Sequence, residues 1–135
     1  MTETAESVIS MLALVPHPFE GWFRESDHVA GKFRTFDFLI TAEEYVPWHQ
    51  LSAAITWRLQ AGAPVALSLS ADGVTASGQH LSTATPGPVL VPPGTYQTME
   101  SFGRWSLLEG TLKPDLGISD RILCPDDWFP GRPLG

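Results

Sequence analysis

The sequence predicts an all-β domain, a sandwich or jelly-roll barrel preceded by one short helix, and three observations carry that expectation. Twelve glycines and twelve prolines are spread along all 135 residues, which punctuates the chain into short extended runs instead of long helices. Nine such runs are rich in β-branched and aromatic residues. The breaks between them carry turn chemistry: Ala-Gly-Ala-Pro at 61–64, Ala-Asp-Gly at 71–73, Thr-Pro-Gly-Pro at 85–88, Pro-Pro-Gly at 92–94 and Phe-Gly-Arg at 102–104. Many short strands at even spacing belong to a closed or two-layered β architecture.

Taken in order, the first element is a helix over about 5–14, where Val8, Ile9, Leu12 and Ala13 recur at helical spacing before Pro16 and Pro18 stop it. Strands are then expected over 31–40, 45–51, 55–60, 65–69, 74–76, 89–91, 96–100, 105–111 and 118–123. These give one domain across 1–135, with a barrel over about 20–123 and an irregular tail over 124–135. The Pro and Gly end of that tail, 129–135, is expected to pack loosely. No internal repeat, linker or low-complexity segment interrupts the pattern.

Charge and composition exclude several partner classes. The formal net charge is −7 and the eight Lys and Arg are scattered, so no basic track exists for a nucleic acid. Apolar stretches break well short of the roughly 20 residues that span a bilayer, and the first ten residues have acids where a signal peptide would carry Lys or Arg. A cytoplasmic protein without membrane contact is expected. The single cysteine, Cys124, can form no internal disulfide and reads as a small buried hydrophobe.

Three local motifs then resemble those of the cupin superfamily, specifically its branch of small single-domain proteins, over about residues 12–123. Pro16-His17-Pro18-Phe19-Glu20-Gly21-Trp22-Phe23-Arg24-Glu25 is similar to that branch's opening run, His-Pro-Glu-Gly-Gly-aromatic-aromatic-Arg-Glu, from which Phe19 and Glu20 depart. Trp48-His49-Gln50-Leu51 followed by Ile55 to Gly62 resembles the first cupin motif, a His-x-His pair before a Glu and a turn Gly. Val91-Pro92-Pro93-Gly94-Thr95-Tyr96-Gln97 resembles the second, Pro-x-Gly-x-x-His. The resemblance implies a cupin jelly-roll barrel with a short N-terminal helix, and a homodimer.

It also implies what has changed. Metal-binding cupins direct two His and a Glu of the first motif and the His of the second into the barrel; the corresponding positions here are His49, Leu51, Ile55 and Gln97. Two of the four side chains have no lone pair to donate and an amide is a poor ligand, so no metal and no other cofactor is expected. His17, His28 and His80 have no ligand spacing to His49, and the Asp126-Asp127 and Glu43-Glu44 pairs read as solvated loops.

Alternation places His49 and Leu51 on one strand face with Pro47, and Ile55, Trp57 and Leu59 on one face of the next strand. The motif register turns both faces inward. The expected pocket is lined by Trp57, Ile55, Leu51, Leu59, Phe36 and Phe38, with His49, Gln97, Tyr96 and Arg24 as candidate catalytic groups. The same stripe also suits a filled core. Arg24 has the alternative of pairing with Glu20 or Asp37, and Arg58 that of facing solvent or a dimer partner.

A small, largely apolar organic molecule is the expected partner. The first reading is a metal-independent isomerase, epimerase or cyclase of specialised metabolism. His49, near the ordinary imidazole pKa of about 6.5, would take a proton while Tyr96, Gln97 or Arg24 stabilises an oxyanion. A milder form is a cyclase that works by folding its substrate, with His49 or Gln97 tuning it by hydrogen bonds. The second reading is a non-catalytic ligand-binding cupin, a sensor or accessory protein. A metal oxygenase with unorthodox ligands has little support.

Overall fold

The structure is a computed structural model that describes residues 3–17, 20–30, 32–113 and 121–132, apart from the side chains of His28 and Tyr45. The chain folds as helix α1 (Ala5–Leu12) and strands β1 (Val15–Pro16), β2 (Trp22–Val29), β3 (Phe33–Thr41), β4 (Tyr45–Leu51), β5 (Ala54–Gly62), β6 (Val65–Ser70), β7 (Ser77–Leu81), β8 (Val89–Val91), β9 (Tyr96–Ser101), β10 (Trp105–Lys113) and β11 (Arg121–Leu123). They form two antiparallel sheets, in the orders β1-β2-β3-β10-β5-β8 and β11-β4-β9-β6-β7. This is a jelly-roll arrangement with one short N-terminal helix.

One face of each sheet supplies the core. Phe36, Phe38 and Ile40 of β3, Ile55, Trp57 and Leu59 of β5 and Leu108 of β10 meet Val46 and Leu51 of β4, Leu67 of β6 and Met99 of β9 in a single buried cluster. Period-2 alternation produces it: in β5 the buried residues alternate with Thr56, Arg58 and Gln60, which turn outward. Gly110 on β10 stands in register between Phe36 and Trp57. A Cβ there would lie 2.5 Å from the Phe36 ring, so glycine makes the space in which Phe36 meets Trp57 edge-on at 5.6 Å.

The outer face of the first sheet is covered by α1. Thr4 and Ser7 form a reciprocal capping box, and Ala13 ends the helix with φ 55°. Val8 and Leu14 then pack on Leu39 and Leu107. The helix therefore stops two residues short of the expected 14. The outer face of the second sheet holds the C-terminal segment: Trp128, buried, packs at a tilt on Tyr96 at 4.7 Å and meets Trp48 edge-on at 5.7 Å, and the Gly131 amide donates to the Gly73 carbonyl. Up to Gly131, the segment expected to pack loosely is thus hydrogen-bonded to the barrel.

Several expectations are corrected. Residues 74–76 form no strand, because the Asp72 carboxylate accepts from the amides of Val74 and Thr75 and closes a turn; the strand follows at Ser77–Leu81. β2 was not expected at all, since after Trp22 and Phe23 it continues Arg-Glu-Ser-Asp-His with no apolar alternation. Glu44 is more than a solvated acid: it is half-buried and accepts from the amides of Gly21 and Thr41 and from the Thr41 hydroxyl. The expected strand at 118–123 begins at Arg121 among the described residues; 118–120 lie outside them.

Candidate functional site

β4 and β9 lie side by side in the second sheet, and their register sets His49 directly opposite Gln97. In β9 the buried Gln97 and Met99 alternate with Tyr96 and Thr98. In β4 the ladder is irregular between Val46 and His49, where the Thr98 hydroxyl donates to the Val46 carbonyl. That irregularity lets Val46 and His49, three residues apart, both be buried, which strict alternation forbids. His49 is 2% exposed and Gln97 1% exposed, both sealed inside the barrel.

Trp57 reaches them from the facing sheet. Its indole N–H donates to Gln97 Oε1 at 3.0 Å. An indole N–H can only donate, so this bond identifies the amide oxygen and leaves Gln97 Nε2 with its two hydrogens directed elsewhere. The His49 ring is fixed by the same logic: Nδ1 lies 2.8 Å from the Pro47 carbonyl oxygen, which can only accept, so the proton sits on Nδ1. Burial first, then the charge of Arg121, lower the His49 pKa to about 3 against the small opposing effect of the Pro47 bond. The ring is therefore neutral at pH 7 and its Nε2 carries a bare lone pair.

Neither His49 Nε2 nor Gln97 Nε2 has a hydrogen-bond partner among the described residues. The contrast with other buried polar groups is plain. Ser106 Oγ donates to the Ala63 carbonyl, the Gly73 amide donates to Ser70 Oγ, and Asp37 accepts from Arg24 and Gln60. Those groups are satisfied by their neighbours; the two Nε2 atoms of His49 and Gln97 are not.

The structure brings together most of the residues expected to line a pocket. Phe36, Phe38, Leu51, Ile55, Trp57 and Leu59 share one buried cluster, which Trp57 joins to Gln97 through its indole N–H. Two expected catalytic groups lie elsewhere. Arg24 is on the outer face of the first sheet, where it pairs with Asp37 at 2.8 Å and donates to the Leu12 carbonyl. Tyr96 precedes Gln97 and so faces the opposite side of its strand, against Trp128. Both expectations are corrected by strand parity.

Sequence reasoning missed two neighbours. His17 is buried edge-on against Phe23 at 5.1 Å and Phe38 at 5.5 Å, and burial with the charge of Arg121 lowers its pKa to about 4. Arg121 stands opposite Leu51 in the β11–β4 ladder, on the inward face, and burial pulls its pKa down to about 10. The signal for His17 was its place in the opening motif. Arg121 had a weaker one, alternation along a three-residue edge strand.

The donors at this site do not make up a metal-binding set. Leu51 and Ile55 offer no lone pair, Gln97 Oε1 is engaged by Trp57, and no cluster of three His, Cys, Asp or Glu side chains suited to a metal ion occurs among the described residues. One bare imidazole nitrogen next to a buried guanidinium does not fit a divalent ion. No helix of the described residues is long and apolar enough to cross a membrane.

Comparison with known proteins agrees with this architecture. The family described as Cupin superfamily (DUF985) matches residues 6–123. Among solved structures, a protein from Shewanella oneidensis superposes with a TM-score of 0.80 at 22% identity, covering 90% of this chain and 85% of that one. A hypothetical protein from Leishmania major gives 0.72 at 24%, covering 88% and 86%. The capsular polysaccharide assembling protein CapF from Staphylococcus aureus gives 0.70 at 10%, with 82% of this chain matching a third of that one. At these identities the likeness concerns the fold. No curated protein matches the chain.

Proposed function

Because the chain belongs to the cupin superfamily, whose barrels enclose their sites, we propose that its barrel is a metal-free site for a small, largely apolar organic molecule. The observation that carries this reading is the unpartnered pair of His49 Nε2 and Gln97 Nε2, fully buried inside an apolar and aromatic wall. Leaving such groups open costs about 1–3 kcal/mol each, which selection tolerates where a ligand restores the bonds. Trp57, Phe36, Phe38, Ile55 and Leu51 would enclose the apolar body.

Within this reading the chemistry is of the isomerase or cyclase kind, with the substrate held in a reactive shape and polarised by the amide N–H of Gln97. His49 accepts a hydrogen bond and orients; its low pKa makes it a weak base, which corrects the expectation of an imidazole near its ordinary pKa. That same low basicity favours the second reading, a non-catalytic binder.

The test is a titration of the full chain with quinoline followed by the indole N–H resonance of Trp57, assigned by its loss in Trp57→Phe, together with elemental analysis of the purified protein. A saturable shift of that resonance and substoichiometric metal are expected. A stoichiometric metal, or an indole resonance indifferent to quinoline and to 2-quinolone, overturns the reading.

A further inference from the structure

The open donor and acceptor differ in kind, and their difference specifies a ligand. His49 Nε2 needs a hydrogen from its partner, because Nδ1 already carries the ring's only proton. Gln97 Nε2 needs an oxygen or nitrogen acceptor, because Oε1 is taken by Trp57. The two residues are direct partners across the β4–β9 ladder. Opposite residues on neighbouring strands stand about 4.5–5.5 Å apart at Cβ, so both polar ends address one edge of a bound molecule.

We propose that the His49–Gln97 pair reads a neutral edge on which a donor and an acceptor sit side by side, as in a lactam, an α-hydroxyketone or an undissociated carboxylic acid. This rests on the reading of the barrel as a small-molecule site and names the polar end of its ligand. The donor of that edge gives its hydrogen to His49 Nε2 and the acceptor receives one from Gln97 Nε2. The remaining surface, against Trp57, Phe36 and Phe38, is an aromatic or alicyclic body.

A carboxylate is the contrasting ligand. It carries two acceptors and no donor, so one oxygen would face the bare lone pair of His49. Arg121 on the same inner face argues in the other direction, since its charge is felt at both His49 and His17. The hydrogen-bond argument decides in favour of the neutral edge, because His49 Nε2 and Gln97 Nε2, neither with a partner among the described residues, cannot both be satisfied by a carboxylate.

The experiment compares four probes of similar size by calorimetric titration of the full chain: 2-quinolone, 1-methyl-2-quinolone, quinoline and 2-naphthoate. The lactam is expected to bind at least about 10-fold more tightly than each of the others, the ratio that one unmatched buried hydrogen bond produces. In His49→Leu the preference over the N-methyl compound should collapse while the affinity for that compound stays. A preference that persists in the variant means that the methyl group clashes, and overturns the proposal. Equal binding of 2-quinolone and quinoline by the natural protein also overturns it, without recourse to a variant, and means that solvent serves the pair. Tighter binding of 2-naphthoate means that Arg121 sets the specificity. Each of these three results leaves the barrel as a ligand site, whereas no binding of any probe removes that reading as well.

Discussion

Replacing Gln97 by leucine separates a site from a structural bond, because the two make opposite demands on stability. In the native chain Gln97 gains one hydrogen bond from Trp57 and leaves Nε2 unpartnered at 1% exposure. Gln97→Leu orphans the Trp57 N–H, a cost of about 1–3 kcal/mol, and removes an orphaned amide of about the same cost. The near-isosteric side chain refills the space, so the net change is expected within about 1 kcal/mol of zero. For 135 residues that is a shift of no more than about 4 °C in Tm. Trp57→Phe orphans Gln97 Oε1 as well, leaving neither end of the amide partnered, and opens a void, at about 2–4 kcal/mol. The double substitution should therefore cost less than the sum of the singles by about 1–3 kcal/mol. Urea unfolding followed by far-ultraviolet circular dichroism reads all three variants on one scale. A loss above about 3 kcal/mol in Gln97→Leu would falsify the reasoning, since the amide N–H groups would then be satisfied within the native fold.

Two further consequences concern charge. His49 and His17 have folded pKa values of about 3 and about 4, below the unfolded value near 6.5, so above pH 6.5 they are neutral in both states and contribute nothing. Below it the unfolded chain takes up two protons that the folded chain refuses; stability should fall from pH 6.5 toward pH 5 with a slope approaching about 2.7 kcal/mol per pH unit, and His49→Gln should remove about half of it. A flat urea midpoint over pH 5–7 would contradict the burial of both rings. Arg24→Ala strips two donors from the buried carboxylate of Asp37, leaving Gln60, and should cost about 1–3 kcal/mol. Affinity for 2-quinolone should be unchanged, and a loss of affinity in a folded Arg24→Ala protein would place Arg24 in the site after all.

How much of this was legible in the chain depends on how far each signal reached. Alternation in 55–60 and the turn chemistry around it located β5 and turned Trp57 inward, because a strand in contact with one core writes its register in its own residues. β2 and β7 were illegible for the converse reason: β7 is exposed at four of its five positions, so pairing with β6 holds it without an apolar stripe. Within the site, His49 and Gln97 were placed by the motif register, and parity alone would have removed Tyr96 from their company. Arg24 misled because a basic residue in a signature invites a catalytic role, whereas its strand partner Asp37 shows the opposite face. The tautomer of His49 and the orientation of the Gln97 amide were beyond any sequence argument, because each is decided by one partner, Pro47 or Trp57, whose position requires the fold.

The tautomer has a consequence that can be measured without a substrate. If His49 titrated near pH 6.5, lowering the pH to 5.5 would protonate Nε2, convert the acceptor to a donor and weaken any ligand that donates to it by about 10-fold. With the folded pKa near 3, the acceptor persists well below pH 5.5, and affinity for a neutral lactam should be flat from pH 5.5 to 8. 2-Quinolone stays uncharged over that range, so a change in its affinity reports the protein. A tenfold decline toward pH 5.5 that disappears in His49→Gln would show an imidazole basic enough to take a proton at neutral pH. That result would return His49 to the role of general base and make acid–base isomerisation the better account of the barrel.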